Sequence, residues 1–427
     1  MKAAIYTLGC KVNTYESEYV INLLMNNGYT IVDFKELADI YIINTCTVTN
    51  NSDSKSRKII REARRNNKDA LIIAMGCFIE ANKANILDIM PEIDIAIGTR
   101  DKSKIIDLIN EYNSNHIRIN DTEYEDRELF EDMFIDEYNS RTRAFVKVQD
   151  GCENFCSYCI IPRVRGKCTS KRLDKCIEEI TTLVNSGIKE IVLTGIHTGN
   201  YGVDINTNFA ALLREVIKIE GLERLRISSI EATELTDEVL DIIKNSQKIV
   251  NHFHIPIQSG SNKVLKLMNR KYDKEYFISK IDKLREIKSD VSITTDIITG
   301  HPGEDEESFS ETIETLERIK FAKLHVFPYS IRMNTPSSRM EQVKDSVKKL
   351  HTDKLLELSE IYEKEYMNKF IGKQLEILVE QTKDGYSYGH STNYLHAKIS
   401  GELTHNSLVN IIVTDIEYPY IIGRIVN

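Results

Sequence analysis

Short apolar runs alternate with amphipathic stretches over the first 112 residues of the chain. The runs that predict buried strands are residues 2–10, 38–46, 71–77 and 93–97. The stretches with a helical period are residues 15–28, 55–68 and 102–112. Strands that alternate with helices in this way predict an α/β domain with a doubly wound parallel sheet over residues 1–112.

A second alternation begins near residue 142 and contains six strand–helix units. The predicted strands lie near residues 144–149, 189–194, 224–229, 250–257, 291–298 and 323–328. Six units are fewer than the eight that close a barrel of this type. We therefore expect an open (β/α)6 partial barrel over residues 142–370, with a long amphipathic helix at residues 345–372.

Two further segments differ from these domains in pattern. Residues 111–140 contain ten acidic and two basic residues and little apolar periodicity, which predicts a flexible acidic linker at residues 113–141. Residues 371–427 contain short apolar alternations separated by turn residues, which predict a small β-barrel. Tyr386, Tyr388 and Tyr394 could stack on nucleic-acid bases there, or they could be solvated turn residues.

Three predicted strands of the first domain end at a cysteine, namely Cys10, Cys46 and Cys77. Ligands of parallel sheets lie beyond the carboxyl ends of the strands, so we expect these three thiols to meet. Thiolates are soft ligands that select zinc or iron–sulfur clusters, and we interpret the set as a cluster site. The alternative is three free thiols with a packing role, because cysteine is often a small core residue.

Three more cysteines, Cys152, Cys156 and Cys159, follow the first predicted strand of the second domain with C-x3-C-x2-C spacing. Three thiolates from one loop can hold three corners of a cubane cluster and leave the fourth iron open to a small molecule. Phe155 and Tyr158 lie between these cysteines and would form an apolar collar that excludes water.

The alternative for this loop is a structural zinc site with Cys168 or Cys176 as the fourth ligand, although zinc sites favour paired C-x2-4-C arms. Without that role, Cys168 and Cys176 are predicted to be structural. No signal-peptide pattern begins the sequence, so we expect a reducing, cytoplasmic compartment and no disulfides.

The composition limits the possible partners. Hydrophobic residues make up 41% of the chain and charged residues 28%, which is typical of a soluble globular protein. No apolar run reaches the ~18 residues of a membrane span, so we expect no membrane partner. The net charge of −9 argues against a general nucleic-acid binder, and an RNA substrate would need a local basic patch.

Two segments could provide such a patch. Residues 55–68 contain seven Lys or Arg and one Glu, and a second basic segment follows Cys159. We expect both to line one cleft with the cysteine sets at its floor, whereas the alternative is a solvated helix face. The candidate RNA contacts are Arg57, Lys58, Arg61, Arg64, Arg65, Arg163 and Arg165.

The C-x3-C-x2-C loop after a strand resembles that of the radical S-adenosylmethionine (SAM) superfamily. The wider string GCENFCSYCIIPRVRG resembles the tRNA methylthiotransferases, and TLGCKVNTYESE, INTCTVTN and GCFIE resemble the cysteine segments of that family's N-terminal domain. LGCKVN with NTCTVTN resembles the bacterial branch that acts on N6-threonylcarbamoyladenosine. Residues 371–427 resemble a TRAM domain, an OB-like RNA-binding module. Two segments depart from the family pattern, His301 in place of the Phe of GFPG, and Arg332-Met333-Asn334-Thr335 in place of R-x-G-T.

The resemblance implies two 4Fe-4S clusters and SAM as cofactors. One cluster, which binds SAM, would be held by Cys152, Cys156 and Cys159. The auxiliary cluster, which holds sulfur, would be held by Cys10, Cys46 and Cys77. Glycine or polar residues at the other strand ends are candidate SAM contacts, with turn or capping roles as the alternative; they are Thr194, Gly195, Ser229, Glu231, Gln258 and Asp296.

The implied reaction converts N6-threonylcarbamoyladenosine at position 37 of tRNA to its 2-methylthio form, by reductive cleavage of SAM and radical activation of the adenine C2 position. The implied partners are the tRNA anticodon stem-loop, an electron donor such as a flavodoxin or ferredoxin, and a sulfur source. The alternatives are a methylthiotransferase of another branch, acting on isopentenyladenosine or on a ribosomal-protein aspartate, and a zinc-bound RNA-binding protein without catalysis.

Overall fold

The N-terminal domain is a parallel sheet with helices on both faces. The structure is a computed structural model, which describes residues 1–123, 129–138 and 142–426. Its elements are β1 (Lys2–Thr7), α1 (Lys11–Asn26), β2 (Thr30–Val32), β3 (Ile40–Thr45), α2 (Asn50–Asn66), β4 (Leu71–Gly76), α3 (Cys77–Ala81), α4 (Ile86–Ile89), β5 (Ile95–Ile97), α5 (Ile105–Asn115) and β6 (Ile119–Asp121). The strand order is β2-β1-β3-β4-β5-β6, which confirms the predicted doubly wound sheet.

The central strands of this sheet are apolar on both faces. Tyr41 and Ile43 of β3 pack on the α2 side, whereas Ile40 and Ile42 pack on the side of α1 and α5. Each such side chain contributes about 1.5–3 kcal/mol when it leaves water, so the register of the strands is strongly fixed. This packing places the carboxyl ends of β1, β3 and β4 side by side at one edge of the sheet.

The prediction of a flexible linker at residues 113–141 is wrong for the described part of that segment. The chain continues the sheet as β6, which pairs with β5. Met133 and Ile135 are fully buried, and the Ile135 amide donates to Glu179 Oε1 at 2.9 Å. Acidic composition suggested disorder, but a few apolar residues among the acidic ones fix the described residues 129–138 to the second domain. Residues 124–128 and 139–141 lie outside the described residues.

The second domain contains the six predicted strands of the partial barrel. Its elements are β7 (Arg143–Lys147), β8 (Gln149–Asp150), α6 (Ile161–Val164), β9 (Thr169–Ser170), α7 (Leu173–Asn185), β10 (Glu190–Thr194), α8 (Phe209–Val216), β11 (Arg224–Ile227), α9 (Asp237–Asn245), β12 (His252–His254), α10 (Asn262–Leu267), α11 (Lys274–Ile287), β13 (Ser292–Thr299), α12 (Glu306–Ile319), β14 (Lys323–Pro328) and α13 (Asp345–Asn368). Two parallel sheets, β11-β10-β7 and β12-β13-β14, meet at a bridge between Leu225 and Ile249, which confirms the open arrangement.

The strands of the partial barrel present unlike residues to their two faces. Leu225 and Ile227 of β11 pack into the core with the surrounding helices. Because side chains alternate along a strand, Arg224 and Arg226 face the opposite way, into the lumen of the partial barrel. In the lumen Arg226 Nε donates to Glu190 Oε1 at 2.7 Å. The face of β11 opposite the core therefore carries polar side chains that are paired with Glu190.

The C-terminal domain is the predicted small barrel. Its strands are β15 (Gln374–Lys383), β16 (Tyr386–Ser391), β17 (His396–Ser400), β18 (Leu408–Glu417) and β19 (Tyr420–Ile425), closed in the order β15-β16-β17-β19-β18. Arg224 Nη2 donates to Glu376 Oε1 at 2.8 Å, and Arg143 forms an ion pair with Glu380. These contacts hold the small barrel against the partial barrel. Among the described residues, no helix combines the length and apolar character needed to cross a bilayer.

Candidate active site

One large cavity connects the three domains. It has a volume of about 1100 Å³ and reaches from the carboxyl edge of the N-terminal sheet, through the lumen of the partial barrel, to the C-terminal barrel. Four of the six predicted cluster cysteines line it, namely Cys10, Cys152, Cys156 and Cys159. The six predicted SAM contacts also line it, namely Thr194, Gly195, Ser229, Glu231, Gln258 and Asp296.

The loop with Cys152, Cys156 and Cys159 is held by backbone hydrogen bonds at both ends. The Cys152 amide donates to Gly166 O at 3.1 Å, and the Ser157 amide donates to Met268 O at 3.0 Å. Gly151 begins the loop with φ of +72°, and a Cβ atom there would overlap the carbonyl oxygen of Lys167. Glycine is therefore required at this position, because any side chain would displace the loop.

The three cysteines of this loop are partly buried. Burial raises the pKa of Cys159 to about 12, and burial also raises the pKa of Cys156 while the nearby Arg270 guanidinium opposes the increase. Arg270 Nη1 lies 3.6 Å from Cys156 Sγ, and Arg270 forms an ion pair with Glu231. A partly buried thiol of this kind becomes a thiolate ligand when metal binding offsets the cost of its charge.

The turn after β10 closes over the same loop. Gln149 donates from Nε2 to Gly151 O at 2.7 Å and accepts at Oε1 from the His197 amide at 2.7 Å. His197 Nδ1 lies 3.8 Å from Cys152 Sγ, and the other ring nitrogen pairs with Glu234. Gly195 allows the turn to approach, since a Cβ atom would lie 2.9 Å from Gln149 Oε1.

The second thiol set lies at the carboxyl edge of the N-terminal sheet, as predicted from the strand ends. Cys10 is exposed to the cavity, whereas Cys46 and Cys77 are buried. Burial raises the pKa of Cys77 to about 12. Gly9 and Gly76 precede two of these cysteines in the left-handed region, with φ of +104° and +98°. A Cβ atom at Gly76 would lie 2.6 Å from Asn44 Oδ1, so the tight turn requires glycine.

Two asparagines tie these strand ends together. Asn13 Nδ2 donates to Asn44 Oδ1 at 3.0 Å and to Thr45 O at 2.9 Å, and Asn44 Nδ2 donates to Asn13 O at 2.9 Å. Asn13 Oδ1 also accepts from Arg165 Nη2 at 3.1 Å. The asparagines belong to the KVN and INT parts of the cysteine strings, so their placement explains why these residue types surround the thiols.

The prediction that Arg165 contacts RNA is wrong. Arg165 is 2% exposed, and its guanidinium donates to Glu16 Oε1 at 2.9 Å and to Asp150 Oδ2 at 3.1 Å. Lys147 and Lys102 complete this buried network, with Nζ atoms 3.2 Å and 3.5 Å from Glu16 Oε1. Sequence reasoning missed the network because a run of basic residues gives no information on which member points inward.

The basic residues of α2 divide between the two edges of the sheet, because α2 runs antiparallel to the strands. The Arg57 guanidinium lies 5.8 Å from the Phe78 ring centroid, one residue beyond Cys77. Arg64 instead donates to Ala70 O at 2.7 Å and pairs with Asp94 at 2.6 Å, at the amino ends of β4 and β5. The expectation that the whole basic helix flanks the thiol edge is therefore wrong for its second half, which also contains Arg61 and Arg65.

The other predicted RNA candidates remain accessible. Lys58 and Arg163 are exposed, and α6, which contains Arg163, packs against α3. Tyr394 is 38% exposed, and its ring stacks on His252 and His390 with centroid distances of 4.8 Å and 4.6 Å. Tyr386 is 40% exposed on the C-terminal barrel.

The zinc alternative gains no support from the geometry. Cys176 Sγ lies in the core, 4.0 Å from the Tyr201 hydroxyl, and Cys168 Sγ accepts from Gln149 Nε2 at 3.1 Å. Within residues 1–123, 129–138 and 142–426, no three His, Cys, Asp or Glu side chains converge on a position that could hold a single metal ion. Both cysteines thus have packing contacts, in agreement with a structural role.

The residues at the two departures from the family pattern make polar contacts. His301 Nε2 lies 2.9 Å from Ser337 Oγ and 3.3 Å from Ser157 Oγ, so a polar ring joins the cysteine loop to the turn after β14. Burial lowers the pKa of His301 to about 4, which keeps this ring neutral. Arg332 Nη1 donates to Thr47 O at 2.8 Å and connects the same turn to the N-terminal domain.

Comparisons with known proteins agree with this site. Residues 146–316 match the Radical SAM superfamily, and residues 2–98 match the Uncharacterized protein family UPF0004. The TsrM radical S-adenosylmethionine methyltransferase from Kitasatospora setae has a similar fold, with a TM-score of 0.59 over 79% of this chain and 77% of that chain at 14% identity. The fold and site thus define a radical-SAM protein.

Relatives over the full length narrow the class. The chain is 44% identical to the threonylcarbamoyladenosine tRNA methylthiotransferase MtaB of Bacillus subtilis, over 99% of this chain and 96% of that protein. It is 36% identical to MtaB of Aquifex aeolicus, over 97% of this chain and all of that protein, and 36% identical to the tRNA-2-methylthio-N(6)-dimethylallyladenosine synthase of Clostridium tetani, over 96% and 90%. The chain belongs to the radical-SAM tRNA methylthiotransferase family.

Proposed function

We propose that this chain transfers a methylthio group to C2 of N6-threonylcarbamoyladenosine, at the nucleoside just 3′ of the anticodon in tRNA. The observation that carries the proposal is that Cys10 and the Cys152–Cys156–Cys159 loop open into the same cavity. A reaction that needs a radical source and a sulfur source at one carbon atom needs both sites within reach of one bound base.

The residues present fit two 4Fe-4S clusters. Each site has three thiols, the loops that hold them require glycine at Gly151 and Gly76, and soft thiolates are the ligands of such clusters. When bound, one cluster would supply the electron for reductive cleavage of SAM, and the other would supply the sulfur. The protein contributes ligation, placement and exclusion of water.

The predicted SAM contacts can be given separate roles. Gly195 brings the turn after β10 close to the cysteine loop, where its backbone would meet the amino-acid part of SAM. Glu231 is held at the mouth by Arg270 and is suited to ribose hydroxyls or the ammonium group. Asp296 Oδ2 lies 3.3 Å from His254 Nε2, and Gln258 begins the next loop. Thr194 and Ser229 also line the cavity.

We infer the remaining partners from the chemistry. Reductive cleavage requires a one-electron donor, such as a flavodoxin or ferredoxin, and each turnover removes sulfur that a separate source must replace. Arg57, Lys58 and Arg163 are suited to the phosphates of the anticodon stem-loop, beside α3 at the thiol edge. The C-terminal barrel would act as a TRAM-type RNA module, and the cytoplasm is the expected location of an enzyme that modifies tRNA.

The second candidate substrate is dimethylallyladenosine, because relatives named for that substrate are 36–37% identical to this chain. Nucleoside mass spectrometry of tRNA from a deletion strain, with and without the restored gene, distinguishes the two. We expect loss and return of 2-methylthio-N6-threonylcarbamoyladenosine. Loss of the dimethylallyl derivative alone would assign the chain to the other substrate. Protein purified without oxygen should contain about eight iron atoms, four for each cluster.

A further inference from the structure

The lumen of the partial barrel contains a cation whose charge no acidic side chain balances. Of the Lys and Arg residues that line the cavity, Arg270 pairs with Glu231 and Lys323 pairs with Glu363 at 2.9 Å. Lys11 Nζ has one partner among the described residues, the carbonyl oxygen of Ser228 at 3.4 Å, and no carboxylate within 4.0 Å.

A second unsatisfied group lies on the wall of the same lumen. His252 is 6% exposed, and its Nδ1 atom is buried without a hydrogen-bond partner, whereas Nε2 lies 3.4 Å from Thr294 Oγ1. A buried polar atom without a partner is costly unless a ligand or water satisfies it. The Tyr394 ring stacks against His252 and closes this end of the lumen.

The position of Lys11 relates this site to the substrate. Lys11 follows Cys10 directly and extends from the first turn of α1 to Ser228, at the end of β11 inside the lumen. In adenine, C2 and the N6 substituent lie on the same edge of the ring, separated only by N1. A base whose C2 atom faces the auxiliary cluster would therefore carry its N6 substituent close to Lys11, which extends into the lumen. An RNA phosphodiester belongs to a continuous chain, so a site inside the partial barrel suits a side group better than a backbone.

We propose that Lys11 and His252 form a carboxylate-binding site, which takes the free carboxylate of the threonylcarbamoyl group and so determines the choice of substrate. This site rests on the proposed function. The Lys11 ammonium supplies the charge and the neutral His252 imidazole supplies a second donor, which together match the two oxygens of one carboxylate. A dimethylallyl group has no acceptor and would leave the buried His252 nitrogen and the Lys11 ammonium without an acceptor from the substrate, which is the kind of arrangement that rejects an analogue.

The carboxylate of SAM is a second source of the same chemistry, so the test must separate the two. The probes are anticodon stem-loop RNAs that carry threonylcarbamoyladenosine or its methyl ester, because the ester removes the charge and keeps the shape. Affinities are measured without oxygen on the protein with both clusters reconstituted, and SAM affinity is measured on the same samples. We expect the wild type to bind the acid about 10- to 100-fold more tightly than the ester.

The variants are Lys11→Met and Lys11→Arg, with His252→Leu and His252→Gln on the opposite wall. Lys11→Met and His252→Leu should reduce the acid-to-ester ratio to within about threefold, whereas the variants that keep a donor, Lys11→Arg and His252→Gln, should retain most of it. Lys218→Met, which removes an exposed lysine of the surface, is the matched control and should match the wild type. Iron content is measured for every variant, because Lys11 neighbours a cluster ligand.

Two results would overturn the site. One is an acid-to-ester ratio near one in the wild type. The other is an acid-to-ester affinity ratio that stays at the wild-type value in both Lys11→Met and His252→Leu. This outcome overturns the site even if those variants bind SAM more weakly. Turnover of the acid-bearing RNA by the wild type tests the proposed function separately. If turnover fails while the affinity ratio depends on Lys11, the function is wrong and the carboxylate site stands.

Discussion

Arg165 Nη1 lies 2.9 Å from Glu16 Oε1, and the two side chains join the cysteine loop of the partial barrel to the first helix of the N-terminal domain. Arg165 also donates to Asn13, which holds the ends of β1 and β3 beside the second thiol set. One buried guanidinium therefore connects both candidate cluster sites. This connection fixes their relative position, which a reaction between two metal centres needs.

Replacement of Glu16 by Gln should destabilise the protein strongly. The change leaves the cations of Arg165, Lys147 and Lys102 around a neutral group, and breaking a buried pair costs about 3–5 kcal/mol. Urea unfolding at pH 7 measures the loss. Glu111→Gln, on the exposed face of α5, is the matched control and should stay within about 0.5 kcal/mol of wild type.

The Arg165–Glu16 pair also predicts how the stability of the protein depends on pH. The surrounding cations, Arg165 above all, outweigh the effect of burial and lower the pKa of Glu16 to about 2. A carboxyl group with a lowered folded pKa contributes stability above its unfolded value, about 4.3, and loses it as the pH falls towards the folded value. The difference in unfolding free energy between wild type and Glu16→Gln should be constant from pH 7 to pH 5 and should shrink below about pH 4.5. A difference that grows at acid pH would contradict the assignment.

The sequence predicted more of the site than of its surroundings, and the reason is physical. Cys10, Cys46 and Cys77 follow strands whose apolar residues are continuous, so the topology alone brings them together. The direction in which the side chain of Arg64 or Arg165 points depends on packing between distant segments, and composition has no information about it. The burial of Met133 was missed for the same reason. A few apolar residues are enough to pack an acidic segment against the second domain.

Gly151→Ala should disable the cysteine loop without unfolding the protein. The new Cβ atom would overlap Lys167 O, and φ of +72° is unfavourable for alanine, so the loop must shift. We expect the iron content to fall to about half and SAM cleavage to be lost, because the loop that carries the three thiols of one 4Fe-4S site would be displaced. Gly166→Ala is the matched control, with a similar φ of +77° and no atom within 4 Å of the new Cβ. Equal iron loss in both variants would mean that φ strain, and not the overlap with Lys167, is responsible.

The two cysteine sets should have separable roles. Replacing Cys152, Cys156 and Cys159 by Ala should abolish formation of 5′-deoxyadenosine from SAM, because that loop alone has the local spacing that leaves an iron open. Replacing Cys10, Cys46 and Cys77 by Ala should preserve SAM cleavage and stop methylthio transfer. Both products are measured by mass spectrometry in one reaction. Full methylthio transfer by the second variant would falsify the sulfur role of that set.

The basic residues of α2 lie at two opposite edges of the N-terminal sheet, and this division predicts which basic residues bind RNA. Changing Arg57, Lys58 and Arg163 to Ala should weaken binding of the anticodon stem-loop and reduce the dependence of log affinity on log salt, by up to about 0.9 for each lost phosphate contact. The Arg57 guanidinium lies over Phe78 of α3, Lys58 is the next residue of α2, and α6, which contains Arg163, packs against α3. Affinity is measured across a range of salt concentrations, and uncoupled SAM cleavage should stay near the wild-type rate.

The matched control changes Arg61 and Arg65 to Ala, on the same helix but towards the amino edge of the sheet. Arg61 lies 3.3 Å from Glu92, in an exposed pair that contributes little to stability, so this variant should fold and bind RNA like the wild type. Arg64→Ala should instead lower stability, because Arg64 satisfies the carbonyl oxygens of Ala70 and Glu92. If the Arg61/Arg65 variant loses RNA affinity and the Arg57/Lys58/Arg163 variant does not, the RNA crosses the opposite edge of the sheet from the one inferred here.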